Sequence, residues 1–423
     1  MKLESYWLDT APPFAHAAQG PLEGRADVAI IGGGFTGLSA ALALARKGAR
    51  PVLLEAGQVA AEASGRNGGQ VNNGLAHSFA AVAKERGLEQ AKALYRAFDA
   101  AVDTVERIVA EEGIDCAFRR AGKIKLAAKP QHLEGLKRNF ELIAREVDPD
   151  VALLDRAEAA AEIGSEAFYG GLLQRRSAQM HVGRFGKGLA EAAARAGARI
   201  HEQAPVTGAV REAGRWRLTT PRGTIDADQV LLATGSTTRG PFGWFRRRYV
   251  PVGSFIIATE PLGDGLLATV LPTRRCATTS KNIGNYFRLA PDNRLIFGGR
   301  ARFAMSSPRS DAKSGQLLER TMRQVFPQLR DTRIDYCWGG LVDMTADRFP
   351  RAGEHDGLYF AMGYSGHGVQ MSVHMGRVLA EMMDGRPAEH PFASEWKAIP
   401  GHFGPPWFLP LVGLYYRALD AVR

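Results

Sequence analysis

Apolar positions in this chain come in blocks whose spacing changes from segment to segment. Val28 to Ile31 is an unbroken apolar run, an alanine- and leucine-rich stretch follows, Gly48 stops it, and Pro51 to Leu54 is apolar again. Short unbroken runs predict strands buried on both faces, and the longer stretch between them predicts a helix. From Glu89 to Glu112 the spacing turns helical, with Leu94, Phe98, Val102, Val105 and Val109 on one face. Lys123 to Ala127 alternates as a strand does, and a charged helix is predicted near Gln131 to Val147. A helix over Gly186 to Ala196, a strand at Arg199 to His201 and another near Ala204 to Val210 come next. Val230-Leu-Leu-Ala-Thr-Gly-Ser236 reads as a buried strand ending in small residues, and the aromatic-rich alternation from Phe255 to Phe303 predicts an antiparallel sheet. Two sheets built from segments that alternate along the chain imply two interleaved domains.

The glycines give the first strand and helix their chemistry. Gly32-x-Gly34-x-x-Gly37 joins them, and Glu55 ends the second strand. Gly32 permits a tight turn, Gly34 lets backbone approach a pyrophosphate, and Gly37 lets helix and strand pack closely. The helix start, with Phe35 and Thr36, offers free amides to phosphate, and Glu55, with Ala56 beside it, accepts from ribose hydroxyls. An acid there suits an unphosphorylated ribose, so NADP is disfavoured. FAD and NAD share this fingerprint, and the next segment separates them. Ala63-Ser-Gly-Arg-Asn-Gly-Gly-Gln70 is a glycine-rich loop without hydrophobic periodicity. Ser64, Gly65, Arg66, Asn67, Gly68, Gly69 and Gln70 would lie along a ligand extended away from the first phosphate, as FAD is.

A second glycine segment stands near the other end. Gly363-Tyr-Ser-Gly-His-Gly-Val369 links the apolar run Leu358 to Met362 to a helix, expected to begin near Gly366, on which Ser372, Val373, Gly376, Ala380 and Met383 recur. Gly363, Ser365, Gly366, His367, Gly368 and Val369 would turn backbone amides and the positive end of the helix toward a cofactor. Thr234 and Gly235 let the chain pass close to it from another side.

Composition narrows the class. A chain of 423 residues with 45% hydrophobic content buries a substantial core and is long enough for two domains. No segment reads as a secretory signal or a membrane span, and the three widely spaced cysteines, Cys116, Cys276 and Cys337, fit reduced thiols, so a cytoplasmic location is expected and no metal site. The net charge of +10 has its densest point at Arg246-Arg247-Arg248, read as a solvated loop edge over the aromatic residues Phe242 to Phe245 rather than a nucleic-acid site.

Taken in order, Gly32 to Glu55, the Ala63 to Gln70 loop, Val230 to Ser236, the stretch Tyr286-Phe-Arg-Leu-Ala-Pro-Asp-Asn-Arg-Leu-Ile-Phe-Gly-Gly299 and Gly363 to Ser372 make the sequence resemble the D-amino-acid oxidase and glycine/sarcosine oxidase superfamily. Within it the γ-glutamylputrescine oxidase-type branch is most similar, and the resemblance spans nearly the whole chain. It implies a two-domain α/β flavoprotein: a Rossmann-type FAD-binding domain over 1–80, 150–240 and 335–395, and a substrate domain over 81–149 and 241–334 built on an antiparallel sheet with helices. Residues 396–423 remain as an apolar tail. FAD is implied, held without a covalent link, with Val206 under its adenosine half and the Gly366 to Val369 amides against the pyrimidine edge of its ring.

The implied reaction is oxidation of a C–N bond in a small amine by hydride transfer to flavin N5, after which water hydrolyses the imine. Relatives that oxidise α-amino acids commonly carry two arginines that clamp the carboxylate. The positions corresponding to them here are Gly366 and Val342, which points to a γ-glutamylputrescine-like or other ω-amine whose reacting carbon bears no carboxylate, with an anionic tail still open. Substrate-facing candidates are Asn72, His181, Tyr286, Arg288, Trp338 and Tyr364. His367, Tyr286 and Arg288 are expected to position substrate rather than transfer protons, and for Arg288 a structural pairing with an acid such as Asp292 stays open. The three aromatic residues form either a cage for an ammonium or ordinary core. The lysine that promotes oxygen reactivity in sarcosine-oxidase relatives is replaced by Ile296, which leaves O2 and quinone both open as acceptors. The tail Pro405 to Asp420 is expected to dock on its own chain, with a dimer contact or interfacial attachment as the alternatives. A quinone-linked dehydrogenase and a flavoprotein acting on a macromolecule are the competing functional classes.

Overall fold

The computed structural model describes residues 1–299, 305–386 and 388–422, and it contains two eight-stranded sheets. In the first, Arg25–Ile31 lies at the centre between Pro51–Leu54 and Gly223–Leu232, parallel to both. Arg199–His201 and Leu358–Met362 extend the parallel set outward, and Arg351–His355 closes one edge antiparallel. The register levels the strand ends, because Ile31 pairs with Leu54 on one side and Leu232 on the other. Three carboxyl ends therefore open on one crevice, where parallel sheets of this kind bind ligands.

The second sheet runs Ile334–Met344, Val250–Pro261, Arg294–Gly299, Asn285–Leu289, Cys276–Thr279, Lys123–Leu126, Gly171–Gln174, Ala152–Leu154. All its pairings are antiparallel except that of Cys276–Thr279 with Lys123–Leu126. The expected antiparallel sheet is thus present, while the domain limits at 150 and 335 cut across it. Ala152–Leu154 and Gly171–Gln174 continue the pairing begun by Lys123–Leu126, and Ile334–Met344 pairs along almost the whole of Val250–Pro261.

Element limits differ from the sequence reading where a local interaction decides them. The helix expected from Gly186 starts at Val182, because His181 Nδ1 accepts from Arg184 N–H at 3.1 Å and caps it. The strand expected near Ala204 begins only at Gly208, since Pro205 has no amide to pair. Ala63–Arg66, read as loop, forms one helical turn. The last glycine-segment helix starts at Gly368 rather than Gly366, because Ser365 and Gly366 have φ of 52° and 92°, incompatible with a right-handed helix.

Candidate active site

The first glycine segment turns where its geometry demands. Gly32 has φ 108°, and a Cβ there would lie 2.7 Å from Ala233 O, just past the end of the neighbouring strand. Glu55 faces this turn, its Oε2 accepting from Gly33 N–H and its Oε1 from Gly57 N–H, each at 2.7 Å. Burial pushes the Glu55 pKa up, and the two amides oppose the shift. Gly34 is the N-cap of the helix Phe35–Arg46 and supplies no side chain to cap it. Ser64 Oγ accepts from Phe35 N–H at 3.0 Å, joining the following loop to the same helix start.

That loop is held from behind by Arg288. Its guanidinium donates to Gly68 O at 2.8 Å, Met180 O at 2.6 Å, and Gln179 Oε1 and Leu289 O at 3.2 Å, while stacking 4.8 Å over Trp7. It is 2% exposed, and burial brings its pKa down to about 10. Arg288 is therefore a strut rather than a substrate ligand, and Asp292 pairs instead with Arg294. Asn67 shapes the loop, donating to Ser64 O at 2.8 Å and accepting from Gly69 N–H at 2.8 Å.

The second glycine segment meets the first directly. Thr36 and Tyr364 hydroxyls lie 2.7 Å apart in a buried hydrogen bond. Behind Tyr364, Asp343 Oδ2 accepts from Gly363 N–H at 2.6 Å and Ser365 Oγ from Thr345 N–H at 3.1 Å, which fixes the turn. Burial raises the Asp343 carboxyl to about 6. The helix Gly368–Met383 then starts without a side-chain cap. It packs so closely on Phe35–Arg46 that a Cβ at Gly376 would lie 2.4 Å from Thr36 O. Two helix N-termini accordingly open on one space.

That space is a cavity of about 1010 Å³, reaching from Glu55 and Val206 past Gly32, Gly34, Phe35 and Thr36 to Tyr286. Ala56, Ser64, Arg66, Asn67, Gly68, Gln70 and Asn72 line one wall. Thr234, Gly235, Tyr364, Ser365, Gly366, His367, Gly368 and Val369 line another. Gly37, Gly65, Gly69 and Gly363 do not line it and act from behind through backbone packing; Gly37 admits no Cβ because Gly32 O would stand 2.0 Å away. His181, 1% exposed and committed to its cap, and Trp338, whose Nε1 donates to Arg66 O at 2.9 Å, also stand outside the lining, so the structure does not bring them to a substrate. Tyr286 does line it, its hydroxyl 3.1 Å from Ser254 Oγ.

Other lining residues escape the sequence reading. Asp343 and the cations Lys123, Lys125 and Arg348 are among them. The alternation of Lys123-Ile-Lys-Leu126 placed the two lysines on one strand face, but no motif marked that face as a cavity wall. None of the three cysteines lines the cavity, and all are buried.

The donor set fits a dinucleotide. The cavity matches the largest drug-sized pockets, has an acid at one end, and receives two helix starts along its length, neither capped by its own N-cap residue. Fold and site together define a dinucleotide-dependent oxidoreductase. The model of a family described as FAD dependent oxidoreductase matches residues 27–382, and the chain belongs to that family. It is similar to the γ-glutamylputrescine oxidoreductase of Escherichia coli, 32% identical over 362 residues that cover 85% of this chain and 84% of that protein. A protein of Haemophilus influenzae named "Probable oxidoreductase OrdL" is 32% identical over 415 residues, 94% of this chain and 93% of its own. The solved glycine oxidase of Geobacillus kaustophilus shares the fold with a TM-score of 0.72 at 23% identity, covering 88% of this chain and 98% of its own. The chain is thus an FAD-dependent enzyme acting on C–N bonds of amines or amino acids.

Proposed function

We propose that the chain oxidises a small ω-amine, γ-glutamylputrescine or one like it, whose reacting carbon carries no carboxylate, and passes the electrons to O2. The observation that carries this reading is that, among the described residues, no pair of arginines forms a carboxylate clamp. Gly366, Leu341 and Val342 line the cavity where α-amino-acid oxidation would call for cations, and Arg288 is withdrawn into the loop strut. The similarity to the γ-glutamylputrescine oxidoreductase of Escherichia coli supports it.

The geometry supports the following residue roles. Glu55 would hold the ribose, the start of the helix Phe35–Arg46 the first phosphate, and the Ser64 to Gln70 loop the second. FAD, once bound, supplies the hydride acceptor. The Gly366, Gly368 and Val369 amides would face the bound cofactor and favour negative charge on it, while the His367 amide is spent on Tyr364 O. Tyr286, Asn72 and His367 orient the amine, and Tyr364 keeps the two glycine segments in register. The nucleotide-binding unit is the parallel sheet with its two glycine helices, and the antiparallel sheet roofs the amine.

The test is an anaerobic screen. γ-Glutamylputrescine should bleach the bound flavin faster than glycine, sarcosine or D-alanine, and hydrogen peroxide should form in air. The reverse ranking overturns the reading. A second reading, a dehydrogenase feeding a membrane quinone, is favoured by the outward-facing Trp407, Leu411, Leu414 and Tyr415, and it predicts bleaching without peroxide.

A further inference from the structure

Three cations gather at one end of the cavity, and among the described residues no carboxylate pairs with them. Lys123 and Lys125 share one face of the strand Lys123–Leu126, and Arg348 reaches the same space from the turn before Arg351–His355. Lys123 is 6% exposed, and among the described residues its Nζ donates only to Asn73 O, at 2.9 Å. Among the described residues half-buried Lys125 has no hydrogen bond or ion pair, and Arg348 donates to the neutral Tyr416 hydroxyl at 3.1 Å. The nearby acids are already engaged. Asp347 pairs with Arg86 and Arg351, each at 2.7 Å, and Asp99 with Asn73 at 3.1 Å and Arg176 at 3.6 Å. Burial, then the charge of Lys125, brings Lys123 down to about 7, and burial, then the charge of Arg348, lowers Lys125. Cations crowded together away from water are costly unless an anion joins them.

The register fixes where that anion would lie. Lys125 pairs with Thr278, and Thr278 with Tyr286, so the three stand in one row on one face of the sheet. Two strand spacings separate Lys125 from Tyr286, about 10 Å, the reach of roughly nine extended chain bonds. We propose that Lys125 and Arg348, with Lys123 behind them, form a subsite for the carboxylate that the substrate carries at the end remote from its reacting amine. This deepens the ω-amine reading and rests on it. It also accounts for a site that accepts an anionic molecule while lacking a clamp beside the reacting carbon: the carboxylate is read one molecule-length away.

The test uses the flavin-loaded protein and a matched pair, putrescine acylated with glutarate and the same compound with its free carboxylate converted to carboxamide. The wild type should prefer the carboxylate form by about tenfold or more in the apparent second-order rate of anaerobic flavin reduction. Lys125→Met and Arg348→Gln should each shrink that ratio toward one, and Lys125→Arg should retain most of it. Because the ratio is internal to each variant, partial loss of folded protein does not alter it. Glutarate alone, titrated against the visible flavin spectrum, should bind the wild type more tightly than Lys125→Met, and phosphate at equal ionic strength should compete poorly. Equal rates for both amines in the wild type, an unchanged ratio in both variants, or phosphate competing as well as glutarate overturns the subsite. If neither amine bleaches the flavin, the amine reading itself fails, and the glutarate titration still decides the subsite.

Discussion

His181 Nδ1 accepts from a backbone amide, and its Nε2 lies 2.9 Å from Thr10 Oγ1, which itself donates to Tyr6 O at 2.6 Å. Only the neutral tautomer with hydrogen on Nε2 satisfies all three bonds. Burial, with the charges of Arg184 and Arg288, lowers its pKa from 6.5 to about 3. A histidine whose folded pKa is depressed takes up protons more readily when unfolded, so its contribution is complete above pH 6.5 and is lost as pH falls toward 3. Unfolding free energy should drop by about 2–3 kcal/mol from this group between pH 7 and pH 4.5. His181→Asn, which can still cap the helix, should flatten that part of the slope; denaturant titrations at the two pH values would read it, and an unchanged slope would refute the assignment. At this scale Glu55 and the Gly32 to Gly37 pattern were legible in the sequence, because their partners lie within a few dozen residues. Arg288 was not, since its guanidinium is spent on Gly68 and Met180, 220 and 108 residues away.

Among elements, the two glycine helices set the geometry of the cavity. Phe35–Arg46 and Gly368–Met383 touch backbone to side chain, with Ser39 Oγ donating to Val373 O at 2.7 Å and Thr36 bonded to Tyr364. Gly376→Ala would place a Cβ 2.4 Å from Thr36 O. The helices would have to separate, so the change should cost about 1–3 kcal/mol of stability and weaken FAD binding as the two helix starts diverge. Thermal unfolding together with FAD titration of the apoprotein would detect both effects, and unaltered FAD affinity would show that helix spacing does not set the cofactor site. Helical periodicity revealed each helix separately, while their pairing across some 330 residues left no local signature. Where element limits missed, a single interaction such as the His181 cap, or a missing amide as at Pro205, outweighed the periodicity.

For the whole molecule, the tail docks against segments that line one end of the cavity. Leu409–Val422 docks through Leu409, with Val412 and Tyr416 packed against Val252 and Ile283. The Asp420 carboxylate accepts from Asn282 N–H at 2.9 Å and Ile283 N–H at 2.8 Å, and Asn282 and Arg348 line the cavity. The expected docking on its own chain is thus what the structure shows. A chain ending before Leu409 should lose on the order of 4 kcal/mol of buried apolar contact, melt at lower temperature, and show an amine KM raised several-fold as Asn282 and Arg348 lose their partners. An unchanged KM would mean that the helix only covers apolar surface. In the basic triplet, Arg248 lies 3.4 Å over Trp244, and Arg247 4.8 Å over Phe403. Among the described residues, no helix is long and apolar enough to cross a membrane.

The sequence by itself determined the first glycine turn with its facing acid and the fold class, because turns, helix starts and buried strands are encoded by neighbours that act over a few ångströms and a few residues. It also marked where arginines are missing. Tertiary structure alone decided which side chains face the cavity: it withdrew Arg288, His181 and Trp338 into supports and brought Lys125, Arg348 and Asp343 to the wall. Facing is set by strand register and helix packing between segments far apart in the chain, and no residue type at one position carries that information.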